Sequence, residues 1–224
     1  MLTESGDTEM KYSGWANTMW IVFGSSFKKQ LREVLNYDSQ EAEAIYTKAK
    51  EKYPELIEKL PEFEKEDAFK MNIVSCAMAC AFFLSMPKKP DVREATEYYN
   101  KAMMTPLMHL FCRISAASKF TSKDIEGLRK TEKLKAAERN PYSWNMELYE
   151  YEDGSGYEAR FTKCGICTLM KECGLYELTP ALCALDYAMS EAGGRSKFVR
   201  EHTLAGGGPY CDCGYYDKKK IREQ

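Results

Sequence analysis

The sequence lacks the features that mark secreted, membrane and nucleic-acid-binding proteins. Its first ten residues have no basic stretch followed by an apolar run, so we predict no secretory signal. The longest uncharged stretch, residues 71–87, falls short of the roughly 20 apolar residues of a membrane helix, and we expect a buried core helix there. The 32 basic and 34 acidic residues leave a net charge of -2, too small to drive general nucleic-acid binding. These absences predict a cytoplasmic protein that binds neither membranes nor nucleic acid.

Two further absences exclude particular classes of fold. The chain has no internal repeat, which argues against a solenoid. The triple glycine at 206–208 lacks the strand, loop and helix setting of a dinucleotide-binding motif, and we expect a sharp turn there. With 44% hydrophobic and 12% aromatic residues, the 224-residue chain suits one compact domain or two small ones, without extensive disorder.

Cysteine is plentiful, with nine residues, an odd number. A cytoplasmic chain is expected to keep them reduced, so thiolate chemistry or metal binding is favoured over a disulfide framework. Cys76 and Cys80 lie one turn apart in an apolar run, and we expect them to pack in the core. Six others crowd into fifty residues near the C-terminus, where we look for function: Cys164, Cys167, Cys173, Cys183, Cys211 and Cys213.

The first half of the chain predicts helices. From residue 14 to about residue 140, apolar residues recur every three or four positions. Capping and helix-breaking residues bound five predicted helices. These cover about 15–35, Asp38 or Ser39 to Pro54, Pro61 or Glu62 to Pro87, Asp91 to Ile114 with a kink at Pro106, and a surface helix from Ser122 to Arg139.

The second half changes period at Pro141. Alternating apolar residues on either side of a turn at 153–156 predict a β-hairpin, and two helices follow. Residues 198–204 and 210–216 predict two further strands separated by the triple glycine. The predicted fold class is α+β: a helical half (1–140) packs on a cysteine-rich ββααββ half (141–224) with a small antiparallel sheet. We expect the two halves to form one compact domain.

Two cysteine pairs raise the question of a metal site. Cys164 and Cys167 form a CxxC after a strand, and Cys211 and Cys213 form a CxC whose side chains share one face of the last strand. Four thiolates from two segments could bind one ion tetrahedrally, with zinc the metal to consider. The 43 residues between the pairs exceed the usual zinc-ribbon spacing. A thioredoxin-like role is disfavoured because the βαβ context is missing.

A second group of residues suggests a ligand pocket. Cys183 and Asp186 lie three residues apart on one helix face, and an acid on an apolar face favours an ion pair. The alternative is a surface salt bridge. Arg200 and His202 share one face of the predicted strand, with Thr203 on the other. Arg200 suits a carboxylate, and His202 could act as a base or simply be solvated.

The C-terminal sixty residues resemble the L-2-amino-thiazoline-4-carboxylic acid hydrolase family. The resemblance rests on Cys164 before a short helix, the CxxD of Cys183 and Asp186, Arg200 followed by Thr203 and Leu204, the glycine turn, and Cys211 with Asp212. A more distant likeness to vinyl-reductase-type ligand-binding domains suggests an alternative, a non-enzymatic sensor that binds a small ligand or a metal.

The family resemblance implies a hydrolase that opens a cyclic amidine by C–N or C–S cleavage, towards a carbamoyl-cysteine. As a hypothesis, a thiolate among Cys164, Cys183 and Cys211 attacks the ring carbon between nitrogen and sulfur. Asp186 pairs with the amidinium, and His202 shuttles a proton. No cofactor is needed in this version, whereas an alternative places a metal on the three cysteines. The substrate-binding residues would be Arg200, Thr203, Gly207 and Asp212.

Overall fold

The computed structural model describes residues 14–63 and 67–221. In that part of the chain, helices predominate before residue 140. They are α1 (Trp15–Glu33), α2 (Ser39–Lys59), α3 (Lys70–Ser85), α4 (Val92–Met103), α5 (Pro106–Ala117) and α6 (Ser122–Lys135). The remaining elements are β1 (Glu147–Glu150), β2 (Gly156–Phe161), α7 (Gly165–Glu172), α8 (Thr179–Cys183), α9 (Leu185–Gly193), β3 (Ser196–Val199), β4 (Cys211–Asp217) and α10 (Lys218–Ile221). The α+β class is therefore confirmed.

The strands form one antiparallel sheet in the order β1-β2-β4-β3. Ala159 of β2 is opposite Cys213 of β4, and Phe161 is opposite Cys211. Because side chains alternate along a strand, every second residue of β2 and β4 faces the helices. This face carries the residues that line the site described below.

The core is centred on α3. Its side chains are buried on all sides, because α1, α2 and α7 pack around it. Cys76 and Cys80 have no exposed surface, as the sequence predicts. The main hydrophobic cluster draws residues from both halves of the chain. Within the described ranges, no helix has the length and apolarity to span a bilayer.

Several predicted boundaries are wrong at prolines and at α3. Helix α2 continues through Pro54, since Tyr53 and Ile57 on either side are buried and offset the lost backbone hydrogen bond. The expected kinked helix is two helices: Thr105 caps α5, and Pro106 occupies its first turn. Helix α3 begins at Lys70 instead of residue 61 or 62, because the Asp67 carboxylate accepts the Phe69 N–H before the helix starts.

The last predicted strands also end differently. Strand β3 stops at Val199, so Arg200, His202 and Thr203 lie in the loop that follows it. The Asp212 carboxylate accepts the N–H groups of Glu201 and His202 at 2.9 and 2.6 Å. These side-chain bonds replace a strand ladder and hold the loop against β4. Because these residues are not in a strand, the prediction that Arg200 and His202 share one strand face is wrong.

Candidate active site

A partly open cavity of about 350 Å³ lies between the sheet and helices α3, α4 and α9; we call it the inner cavity. Most of its wall is apolar or aromatic, including Trp144, Phe161 and Leu182. Its chemically active groups come from five separate segments: Lys119, Cys164, Cys183, Asp186, Arg200, Cys211 and Cys213. The structure thus brings together the three thiols and the acid that the sequence singles out. The volume suits a small molecule.

Strand β4 supplies two of the thiols by simple alternation. Cys211, Cys213 and Tyr215 all project from the helix-facing side into the inner cavity. The Cys211 sulfur also accepts the N–H of Leu204 at 3.2 Å. Burial raises the pKa of Cys213 to about 12 and also raises the pKa of Cys211. Both are therefore neutral thiols at pH 7.

Cys164 differs from the other cavity thiols. It is the residue before α7, where the first N–H groups of the helix have no partner within the helix. The Cys167 thiol lowers the pKa of Cys164, and the N–H groups of Cys167 and Ile166 act in the same direction, against the effect of burial. Burial raises the pKa of Cys183 to about 12. Cys164 is therefore the cavity thiol favoured as a thiolate near neutral pH.

The backbone around Cys164 is unusually close to a neighbouring segment. A Cβ on Gly165 would lie 2.0 Å from the carbonyl oxygen of Tyr142. Only glycine allows this approach, which brings the segment before β1 against the start of α7. Trp144 follows in that segment and contributes to the lowered pKa of Cys164.

An ion pair lies in the wall of the same cavity. The Arg200 guanidinium donates to the Asp186 carboxylate and, at 3.1 Å, to the carbonyl oxygen of Cys183. The Arg200 side chain is only 5% exposed, whereas Asp186 keeps 45% of its surface, as expected for a group that lines the cavity. Burial raises the pKa of Asp186 even though Arg200 acts in the opposite direction. The carboxyl is thus suited to exchange a proton.

A family comparison places the chain among known proteins. The family model for L-2-amino-thiazoline-4-carboxylic acid hydrolase matches residues 71–215, more than half of the chain. The chain belongs to this family. The match runs from α3 into β4 and includes every active group of the inner cavity, well beyond the C-terminal segment that carries the resemblance in the sequence. A search of curated proteins and a search of solved structures gave no match.

Other residues predicted for this hydrolase-family site lie outside the inner cavity. His202 is exposed and makes an edge contact with the Tyr210 ring, at 5.5 Å between centroids. It lines a neighbouring groove of about 430 Å³, the outer groove, together with Thr203 and Gly207. Cys183 and Arg200 line both spaces and so form part of the wall between them.

Local contacts explain the outer-groove residues in structural terms. Thr203 Oγ1 accepts the Gly206 N–H at 2.9 Å, and Gly207 has a φ of 82°, so the triple glycine forms the expected turn. Asp212 holds the 201–202 backbone. The structure therefore places His202, Thr203 and Gly207 in the outer groove beside Cys183, and leaves them and Asp212 outside the inner cavity that Cys164 lines.

The four cysteines considered for a metal site, Cys164, Cys167, Cys211 and Cys213, are not placed among the described residues to share one ion. In these ranges, no three His, Cys, Asp or Glu side chains are placed to share one ion. Cys167 does not line the inner cavity, although it interacts with Cys164. The CxxC therefore acts on the acidity of Cys164 without meeting the CxC in a tetrahedron.

Lys119 is a cavity residue that the sequence does not single out. It follows α5 in a surface region without a motif, next to Phe120, whose φ of 66° is unusual for a residue other than glycine. No pattern in the sequence predicts that backbone conformation. Its side chain nevertheless reaches the inner cavity.

Proposed function

We propose that this protein hydrolyses a 2-amino-thiazoline-4-carboxylate, or a similar cyclic amidine, with Cys164 as the nucleophile. The observation that carries the proposal is one juxtaposition. An acidified thiol at the start of α7 shares the inner cavity with the Asp186–Arg200 ion pair. A thiolate and a carboxyl with opposite pKa shifts form a typical pair for nucleophilic catalysis with proton transfer.

The first step opens the ring. The Cys164 thiolate adds to the carbon between nitrogen and sulfur while Asp186 pairs with the amidinium and makes that carbon more electrophilic. The new carbon–sulfur bond to Cys164 forms, the ring carbon–sulfur bond breaks, and the released sulfur takes up a proton. The intermediate is an isothiourea attached to the protein.

The second step releases the product. Water adds to the isothiourea carbon, and the Cys164 sulfur leaves as the thiolate. The carbon keeps the oxygen of water as a carbonyl, so that the product is an N-carbamoyl-cysteine. The low pKa of Cys164 favours both of its roles, since a stable thiolate is present for attack and leaves readily.

In this proposal, Arg200 positions Asp186 and does not bind the substrate directly. The guanidinium is already bonded to Asp186 and to the Cys183 carbonyl, and little of it is accessible. The role of Arg200 therefore differs from the carboxylate binding that the family resemblance implies.

The test compares Cys164→Ser with Cys213→Ser, a matched change at a neutral thiol of the same cavity. We expect Cys164→Ser to abolish formation of carbamoyl-cysteine and Cys213→Ser to reduce it far less. Mass spectrometry of rapidly denatured wild-type protein should show the substrate attached to the peptide that contains Cys164. Full activity in Cys164→Ser would exclude the mechanism.

The same assay separates the two alternatives. Loss of activity on treatment with a chelator, restored by zinc, would favour water activation by a metal. Tight binding of the thiazoline with neither product nor adduct would favour the sensor.

A further inference from the structure

The inner cavity contains a cation without an acidic partner. The Lys119 Nζ lies 3.3 Å from the centroid of the Tyr215 ring, and Tyr157 and Phe120 follow at 5.9 and 6.0 Å. None of the ion pairs among the described residues includes Lys119. The aromatic rings stabilise the ammonium without neutralising it.

The loop between α5 and α6 holds this side chain in place. The Asp124 carboxylate accepts the Phe120 N–H at 2.8 Å, and the Thr121 hydroxyl donates to the Ser118 carbonyl at 2.7 Å. These bonds support the left-handed conformation of Phe120, which is unfavourable for a residue with a side chain. These bonds fix the backbone next to Lys119, whose side chain lines the inner cavity.

Lys119 is a charged group of the inner cavity that no carboxylate of the described ranges contacts, whereas the Cys164 thiolate is stabilised by the Cys167 thiol and by the N–H groups at the start of α7. Asp186 is neutralised by Arg200, and burial lowers the pKa of Lys119 to about 8, against the weaker opposing effects of Asp124 and Asp186. A largely buried ammonium without a counter-ion is costly. A bound anion would remove that cost, and Arg200, which is 5% exposed, is poorly placed to receive it.

We propose that Lys119 binds the carboxylate of the ligand, so that the inner cavity selects small heterocycles with one negative charge. This inference rests on the proposed function for the identity of the heterocycle, and it assigns to Lys119 the contact that the sequence assigns to Arg200. The carboxylate then lies toward the α5–α6 loop, and the amidine lies toward Asp186 and Cys164.

Two substrates and two matched variants test the inference. The substrates are 2-amino-thiazoline-4-carboxylate and 2-amino-thiazoline, which lacks the carboxylate. In Lys119→Met we expect KM for the carboxylate substrate to rise about 10- to 100-fold, the effect of losing a charge-assisted hydrogen bond. The value of kcat/KM for 2-amino-thiazoline should change far less. Lys119→Arg should recover part of the loss.

The control is Lys123→Met, the same substitution at an exposed lysine four residues away. It should leave both substrates unaffected. If Lys119→Met lowers kcat/KM equally for both substrates, or behaves like Lys123→Met, the inference is wrong while the hydrolase proposal stands. Thermal unfolding of each variant shows whether a loss reflects misfolding, and in that case the comparison uses Lys119→Arg and Lys119→Gln.

A binding experiment separates this inference from the proposed function. Calorimetry measures thiazole-4-carboxylate, an aromatic analogue without the amidine, on wild type and Lys119→Met. Binding that depends on Lys119, in a protein that turns over no thiazoline, would support the anion site and overturn the hydrolase. Absence of both binding and turnover in the wild type would overturn both.

Discussion

The acidity of Cys164 gives the sharpest prediction because a single neighbour dominates it. Cys167 is the largest cause of the lowered pKa of Cys164. Cys167→Ala removes that thiol and leaves the N–H groups at the start of α7 and the burial of Cys164 unchanged. We therefore expect the pKa of Cys164 to rise and the thiolate to be lost at neutral pH.

The size of the effect follows from the hydrogen bond that is lost. A hydrogen bond to a charged group contributes about 1.5–3 kcal/mol, and one pKa unit corresponds to about 1.4 kcal/mol. Cys167 is only half-buried, so water would replace part of the interaction, and the lower limit applies. With the pKa of Cys164 lowered to about 7, a rise of about one unit reduces the thiolate fraction at pH 7 from about one half to about one tenth, roughly fivefold.

The assay is alkylation of Cys164 by iodoacetamide across pH 5–10, measured on the peptide by mass spectrometry. The midpoint should move to higher pH in Cys167→Ala, with rates that converge above both pKa values. Cys173→Ala is the control, since Cys173 follows the same helix but contacts Cys80 instead. An unchanged midpoint in Cys167→Ala would refute Cys167 as the main cause of the acidity of Cys164, and a wild-type midpoint at the ordinary pKa of a thiol would refute Cys164 as the activated thiol.

Two further predictions concern stability. Lys135 is 5% exposed and donates to Asp67, Glu138 and Ser143 at 2.5–2.7 Å. Lys135→Met should therefore lower the free energy of unfolding, measured by urea titration, by about 3–5 kcal/mol. The control Lys133→Met, at an exposed lysine, should have little effect. Equal effects would show that the buried network contributes nothing. Gly165→Ala should destabilise the protein because the added Cβ would collide with the Tyr142 carbonyl. Gly127→Ala in α6 has open space around the added Cβ and should stabilise the protein by about 0.5–1 kcal/mol. Thermal unfolding shows whether each variant is more or less stable than the wild type. A Gly165→Ala variant as stable as the wild type would contradict the close approach of Tyr142 to Gly165.

The sequence predicts those parts of the fold that local rules govern. Asp38 and Asp91 both form the capping boxes that begin α2 and α4, and the β1–β2 hairpin lies where the alternation places it. The helix boundaries predicted at the prolines are wrong because packing and capping decide whether a helix ends at a proline. Pro54 is tolerated where buried neighbours hold the last turn, and Pro106 begins a new helix because Thr105 caps it.

The residues of the candidate site also fall into those that local sequence patterns predict and those that depend on tertiary contacts. Cys211 and Cys213 reach the cavity by strand period. Cys183 ends α8 and Asp186 lies in the first turn of α9, so the one helix predicted for them is two, but both side chains still line the cavity. Arg200 reaches the cavity from a loop, and its pairing with Asp186 depends on where β3 stops. Lys119 contacts the ring of Tyr215, 96 residues further along the chain, and lies in a loop whose backbone no local pattern encodes.

The cavity also explains why many cysteines need not mean many reactive ones. Burial is the main cause of the raised pKa values of Cys183, Cys211 and Cys213, and a protonated thiol is a small, weakly polar group that packs well against aromatic walls. Cys164 becomes acidic because it precedes a helix and contacts a second thiol. The distinction between a nucleophile and a lining residue therefore comes from position relative to α7. A thiol moved out of that position should lose its reactivity even if it stays in the cavity.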